Sequence, residues 1–333
     1  MKIFITGGTG FIGQRLAEKL AEDSNEVVLL LRNPAKALKF NSGMISFVKG
    51  DILDEDAIDE GIKGADTVYH MAAYTKPWSE DPGMPNKINV MGTLNVLEAA
   101  VRNGVRIVVI TSTAGTMSYS RDGKPVGETT NSDPQFHTEY EKTKAEAERL
   151  AAGYSGKIPC VVIVNPTRVY GPGELSKSNS PTRIMKLYRK GLWRVIPGSG
   201  DSVGNYVFVD DVVNGHILAA QKGVSGERYI LGGENLSFNE LFNALGETTG
   251  KTRRMLRVPL PVLEVVVKIA QFIADLAGRP PVITKEWLAR YMNDWIMSSE
   301  KAINHLGYTF TPFREGAAIT LNWLNTAKNK ISR

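Results

Sequence analysis

The segment KIFITGGTGFIG, residues 2–13, limits the fold of this chain more than any other. A short β-branched run passes through Gly7, Gly10 and Gly13 into a helix-forming stretch, so the glycines fall at a strand-to-helix turn. There glycine permits a tight turn, close approach of backbone to a pyrophosphate, and close packing of helix on strand. The turn predicts a dinucleotide site, with Phe11 and Ile12 beside it.

Apolar runs at 2–6, 26–32, 45–50, 66–72, 106–112 and 159–164 alternate with helical segments near 11–22, 54–63, 87–103 and 138–153. That alternation predicts an α/β protein with a Rossmann-type doubly wound parallel sheet, whose ligands bind at the carboxyl ends of the strands. After Pro166 the regularity lapses into loops rich in Gly, Pro and Ser at 171–181 and 197–205. Residues 1–166 plus about 206–232 are therefore expected to form the NAD(P)-binding domain. About 167–205 plus 233–333 would form a smaller, mixed α/β substrate lobe.

With 333 residues, 42% of them hydrophobic, the chain can bury a large core. MKIFIT reads as a first strand and lacks the apolar core of a signal peptide, and the lone Cys160 reads as a buried strand position, so a cytoplasmic enzyme is expected. The net charge of +5 is scattered apart from the tail residues Lys328, Lys330 and Arg333, and no nucleic-acid motif accompanies it. Residues 259–278 are strongly apolar, but Glu264, Lys268 and Asp275 argue against a transmembrane segment. With Gln271 these charges mark one polar stripe. A core or subunit-facing helix is expected, with a membrane-surface helix as the alternative.

Where the dinucleotide pattern asks for an acid to hold a ribose hydroxyl, this chain has Arg32, followed by Asn33 and Lys36. A guanidinium pairs with a 2′-phosphate, which favours NADP(H) over NAD(H). Asp51 and Ile52, just past the third strand, would lie near adenine.

EYEKTKAEAE, residues 139–148, reads at first as a solvated helix in which Lys142 pairs with Glu146. The same spacing of four places Tyr140 and Lys144 on one helix face. TGGTGFIG, the ITST of 110–113 and Tyr140-x-x-x-Lys144 together resemble the extended short-chain dehydrogenase/reductase superfamily. Asn89 in NVMGTLNVLEAA, NPTRVYGPG (165–173) and YVFVDDVV (206–213) match that superfamily in order and spacing. The resemblance implies that Tyr140 relays the proton and that Lys144 lowers its pKa while holding the nicotinamide ribose. It also implies that Thr113, or its neighbour Ser112, hydrogen-bonds the substrate oxygen, that Asn89 maintains the geometry, and that Ala72 and Pro166 touch the cofactor. Glu141, Lys142, Glu146 and Glu148 remain in this reading a solvated, charge-paired surface.

TSTAGT (111–116), HMAAYTKPWSEDP (70–82), GERYILGGENLSFNELF (226–242) and HLGYTFTP (305–312) are most similar to a dihydroflavonol-reductase-like branch related to 3β-hydroxysteroid dehydrogenases. That likeness implies NADPH-dependent reduction of a ketone or aldehyde on a small hydrophobic molecule. Trp78, His137, Tyr206 and Phe208 are the candidates for the substrate pocket. The competing enzyme is a nucleotide-sugar epimerase or dehydratase with tightly bound NAD. Gly204 and Asn205, standing where such enzymes often carry an Arg-Asp pair, point away from it. A non-catalytic NADP-sensing regulator is a third reading, opposed by the intact Tyr140 and Lys144. His70, His137, His216 and His305 lack metal-ligand spacing. A homodimer and a monomer are both compatible with the sequence.

Overall fold

The computed structural model describes residues 1–76, 79, 81–130, 134–174, 179–276 and 285–331. Its first half is built from β1 (Lys2–Thr6), α1 (Phe11–Glu22), β2 (Glu26–Leu31), β3 (Ile45–Lys49), α2 (Glu55–Ile62), β4 (Thr67–His70), α3 (Met84–Asn86), α4 (Gly92–Arg102), β5 (Ile107–Thr111), α5 (Glu139–Ala152) and β6 (Cys160–Pro166). These strands read as unbroken apolar runs because helices cover both faces of the sheet; Ile3, Phe4 and Ile5 are consecutive and all buried. Cys160 is the exception to its expectation, since the start of β6 leaves it only half-buried.

The second half adds β7 (Arg168–Tyr170), α6 (Ser180–Arg189), β8 (Val195–Pro197), β9 (Val203–Phe208), α7 (Val209–Lys222), β10 (Arg228–Leu231), β11 (Glu234–Ser237), α8 (Phe238–Thr249), β12 (Leu256–Val258), α9 (Leu260–Leu276), α10 (Lys285–Met292), α11 (Glu300–Leu306) and α12 (Phe313–Ile331). The seven-stranded sheet runs β10-β6-β5-β4-β1-β2-β3, and every pairing in it is parallel. Strand order reverses between β1 and β4, which opens a crevice at their carboxyl ends.

Of the segment 206–232, α7 and β10 return to this sheet. The residues Tyr206–Phe208 do not, because β9 pairs with β7 and β11 in a separate three-stranded sheet. That small sheet packs on an aromatic core in which Phe313 lies 5.1 Å from Tyr170 and 5.9 Å from Tyr206, ring centre to ring centre. Among the described residues no helix is long and apolar enough to cross a membrane.

Candidate active site

The glycine loop fits a phosphate by geometry. Gly7 has φ +75°, and a Cβ there would lie 2.6 Å from the backbone nitrogen of Ala72; a Cβ on Gly13 would lie 2.3 Å from the carbonyl oxygen of Gly7. Neither position tolerates a side chain. Gly10 caps α1 without a side-chain hydrogen bond, and no acidic residue occupies the first turn. The N–H groups of Phe11, Ile12 and Gly13 lie at a helix N-terminus, where they could serve an anion.

Helix α5 starts at a capping box: Thr138 Oγ1 accepts from the Glu141 N–H, and Glu141 Oε2 accepts from the Thr138 N–H. Thr138-x-x-Glu141 is the sequence signal for it. Glu141 is therefore buried, not solvated. Lys142 pairs with Glu139 at 3.0 Å and not with Glu146, on the exposed side.

Tyr140, Lys144 and Glu148 follow at successive steps of four on one helix face. Lys144 is 1% exposed, and its Nζ has no hydrogen-bond partner among the described residues. Desolvation pulls its pKa down from 10.5 to about 8, against the opposing charge of Glu148. Acceptors carried by a ligand, such as ribose hydroxyls, would satisfy this ammonium.

Glu148 departs from the sequence expectation. It is 4% exposed, and its Oε1 accepts from Ser112 Oγ, from Thr116 Oγ1 at 2.7 Å and from Asn165 Nδ2 at 2.6 Å. Its Oε2 takes Arg228 Nη1 at 3.2 Å. The two hydroxyls after β5 therefore have different partners. Ser112 is committed to Glu148, whereas Thr113 Oγ1 accepts from the Gly115 N–H at 3.1 Å and keeps its own proton to donate.

Asn89 lies in a π-helical turn, Lys87–Met91, a local widening that often marks functional sites. Its Oδ1 accepts from the Tyr74 N–H at 2.7 Å, and its Nδ2 donates to Thr143 Oγ1 at 2.9 Å. From there a buried chain leads back to the glycine loop. Thr93 Oγ1 donates to the Asn89 carbonyl at 2.6 Å, so it can only accept from His70 Nε2 at 2.9 Å. His70 Nδ1 must then accept from Thr6 Oγ1 at 2.8 Å. The hydrogen-bond directions fix His70 as the neutral Nε2–H tautomer. Burial and the Lys144 charge agree, lowering its pKa to about 3. The spacing of His70 in the sequence gives no sign of this role.

The remaining predicted residues divide. Arg32 is 78% exposed just past β2 and lies 3.7 Å from Asp51, while Lys36 sits in a 3-10 turn, Pro34–Lys39, capped by Asn33. Ala72 abuts Gly7 and Pro166 ends β6, both beside the crevice. Ile52 packs inward against Gly92. His137 stacks on Tyr119 at 6.0 Å, its Nε2 3.1 Å from Asn293 Nδ2. Tyr206 and Phe208 are both buried in the aromatic core, because alternation along β9 turns their shared face toward Phe313 and Tyr170. Trp78 lies outside the described residues.

The family model of the NAD dependent epimerase/dehydratase family matches residues 3–232. The chain belongs to this family, within the extended short-chain dehydrogenase/reductase superfamily. Like its relatives it is an NAD(P)-dependent enzyme acting on CH–OH or carbonyl groups. A putative dihydroflavonol 4-reductase from Synechocystis is 29% identical over 96% of this chain and 93% of its own length. Sterol demethylase protein B from Methylococcus capsulatus is 30% identical over 78% of each chain. UDP-glucose 4-epimerase from Thermotoga maritima shares the fold with a TM-score of 0.80 at 23% identity, covering 98% of this chain and 100% of its own.

Proposed function

We propose that the chain is an NADPH-dependent reductase of a ketone or aldehyde on a hydrophobic molecule. The observation that carries this reading is the buried Lys144 ammonium, without a hydrogen-bond partner among the described residues, one helical turn from Tyr140. The α1 N-terminus and its glycines would hold the pyrophosphate, Lys144 the ribose, and Arg32 with Lys36 the 2′-phosphate. When bound, the nicotinamide supplies the hydride. Tyr140 donates its proton to the carbonyl oxygen, and the Lys144 charge stabilises the phenolate left behind. The Thr113 hydroxyl donates to the same oxygen as negative charge builds on it. Asn89, held on both sides of its amide, fixes the start of α5 through Thr143.

Two features favour reduction over nucleotide-sugar chemistry. Where an Arg-Asp pair would grip a diphosphate, Asn205 spends its amide on Thr167, Gly233 and Asn235. The reductase-named relative is also the more similar in sequence, 29% identical against 23% for the epimerase. NADPH oxidation should be followed with ketones and aldehydes that include flavonoid and steroid examples, with UDP-sugars alongside. Tyr140→Phe should lower turnover about 10²–10⁴-fold and leave NADPH binding intact. Wild-type turnover in that variant, or activity on the UDP-sugars alone, would overturn the reading. Arg32→Asp should shift preference toward NADH by about tenfold, the loss of one charge-assisted phosphate contact; an unchanged ratio would remove Arg32 from the phosphate site.

A further inference from the structure

Helix α9 does not behave as a core helix, one of the fates expected from its sequence. Its buried stripe is narrow: Leu263, Val267, Ala270 and Ala274 face the protein, with Val267 only 2% exposed. The polar stripe of Glu264, Lys268 and Gln271 lies beside it. The third arc, about 120° wide at roughly 100° per residue, is wholly apolar and open. On it Val262, Val265, Val266, Ile269, Phe272 and Ile273 range from 48% exposed at Val266 to 65% at Phe272. Scattered apolar surface residues are ordinary, whereas a continuous face of this kind marks an interaction site.

What meets this face is indicated by charge. Residues 179–200 and 248–263 hold nine of the chain's 40 basic residues and none of its 35 acidic ones, so the rest of the chain is net negative. The two segments meet where β8 pairs with β12, and Arg194 Nη1 reaches the Arg254 carbonyl at 3.5 Å. Gly198 beside them approaches Leu260, the first residue of α9. The basic corner is thereby seated at the N-terminal end of the apolar helix. Within that corner Leu192 is 69% and Leu256 64% exposed, among exposed Lys190, Arg194, Lys251, Arg254 and Arg257.

We infer that α9 and this corner form a docking surface for an anionic phospholipid bilayer. The open arc of α9 enters the boundary between headgroups and acyl chains, and the arginines and lysines pair with lipid phosphates. A second copy of the chain fits less well, because it offers the same basic segments with no acidic residue in either. The proposal does not depend on the reductase reading, since it concerns where the enzyme sits and not what it reduces.

Vesicle sedimentation of the full chain tests it. Partition onto mixed phosphatidylglycerol/phosphatidylcholine vesicles should exceed that onto pure phosphatidylcholine by about tenfold or more and fall at high salt. Replacing Ile269 and Phe272 together by Glu should reduce partition by about tenfold or more, with the thermal midpoint and NADPH binding kept. Arg254→Glu with Arg257→Glu should remove the preference for anionic lipid. The proposal is overturned if wild type ignores the anionic vesicles, if both double variants partition like wild type, or if ultracentrifugation shows a dimer that the α9 variant dissociates in place of lipid binding.

Discussion

Lys144 and Glu148 stand one turn apart on the same face of α5, both buried and opposite in charge, yet the protein around them treats them differently. Glu148 is surrounded by donors from Ser112, Thr116, Asn165 and Arg228, which ties α5 to β6, to β10 and to the turn after β5. Lys144 receives no hydrogen-bond partner among the described residues. A buried charge with a full set of partners is part of the scaffold. One left without them bears a cost of desolvation that a ligand can remove. The carboxylate thus holds the helix in place, and the ammonium one turn earlier is the group that the proposed reaction would use.

The larger effect should come from breaking the scaffold side. Glu148→Leu removes the acceptor shared by Ser112, Thr116, Asn165 and Arg228, leaving Thr116 and Asn165 the Thr113 carbonyl and Arg228 the Glu128 carbonyl, and should cost about 3–5 kcal/mol of unfolding free energy. Glu148→Gln keeps one acceptor oxygen and should cost about 1–2 kcal/mol. Urea unfolding at neutral pH measures both. A loss below about 1 kcal/mol for Glu148→Leu would mean that water serves these donors equally well, and the contrast with Lys144 would fail.

How much of this was legible in the sequence depends on the reach of each interaction. The six strands and helix α1 were readable because a covered parallel sheet writes itself as continuous apolar runs between helical periods. Tyr140 and Lys144 were readable because their relation is local, one turn of helix. Glu148 was misread for the same reason. Its local neighbour at i−4 is a lysine, which imitates a surface ion pair, while its actual partner Arg228 comes from 80 residues further along. The different partners of Ser112 and Thr113 likewise depend on a residue 36 positions away. For α9 the periodicity sorted residues into faces correctly but could not say which face another element would cover. Tyr206 and Phe208 show the reverse case, aromatic residues whose core partner Phe313 lies more than 100 positions on.

The smaller effect should come from the other side of the comparison, and its sign is opposite. Lys144 has a pKa of about 8 in the folded protein against 10.5 when free. Below about pH 8 both folded and unfolded chains hold the proton, and folding bears the full cost of burying the charge. Between about 8 and 10.5 the unfolded chain binds more protons than the folded one, so stability rises with pH and the cost fades. The depression corresponds to an order of 3 kcal/mol. Lys144→Met should therefore be inactive yet more stable than wild type at pH 7, by up to about 3 kcal/mol, with the advantage shrinking through pH 9 and gone near 10.5. Other titrating groups are shared by the two proteins, and His70, which feels the Lys144 charge, titrates far below this pH range. Saturating NADPH should narrow the gap at pH 7 by stabilising wild type more than the variant. A variant less stable than wild type at pH 7 would show that Lys144 is held by the protein itself, and that the two ends of this helical turn are scaffold alike.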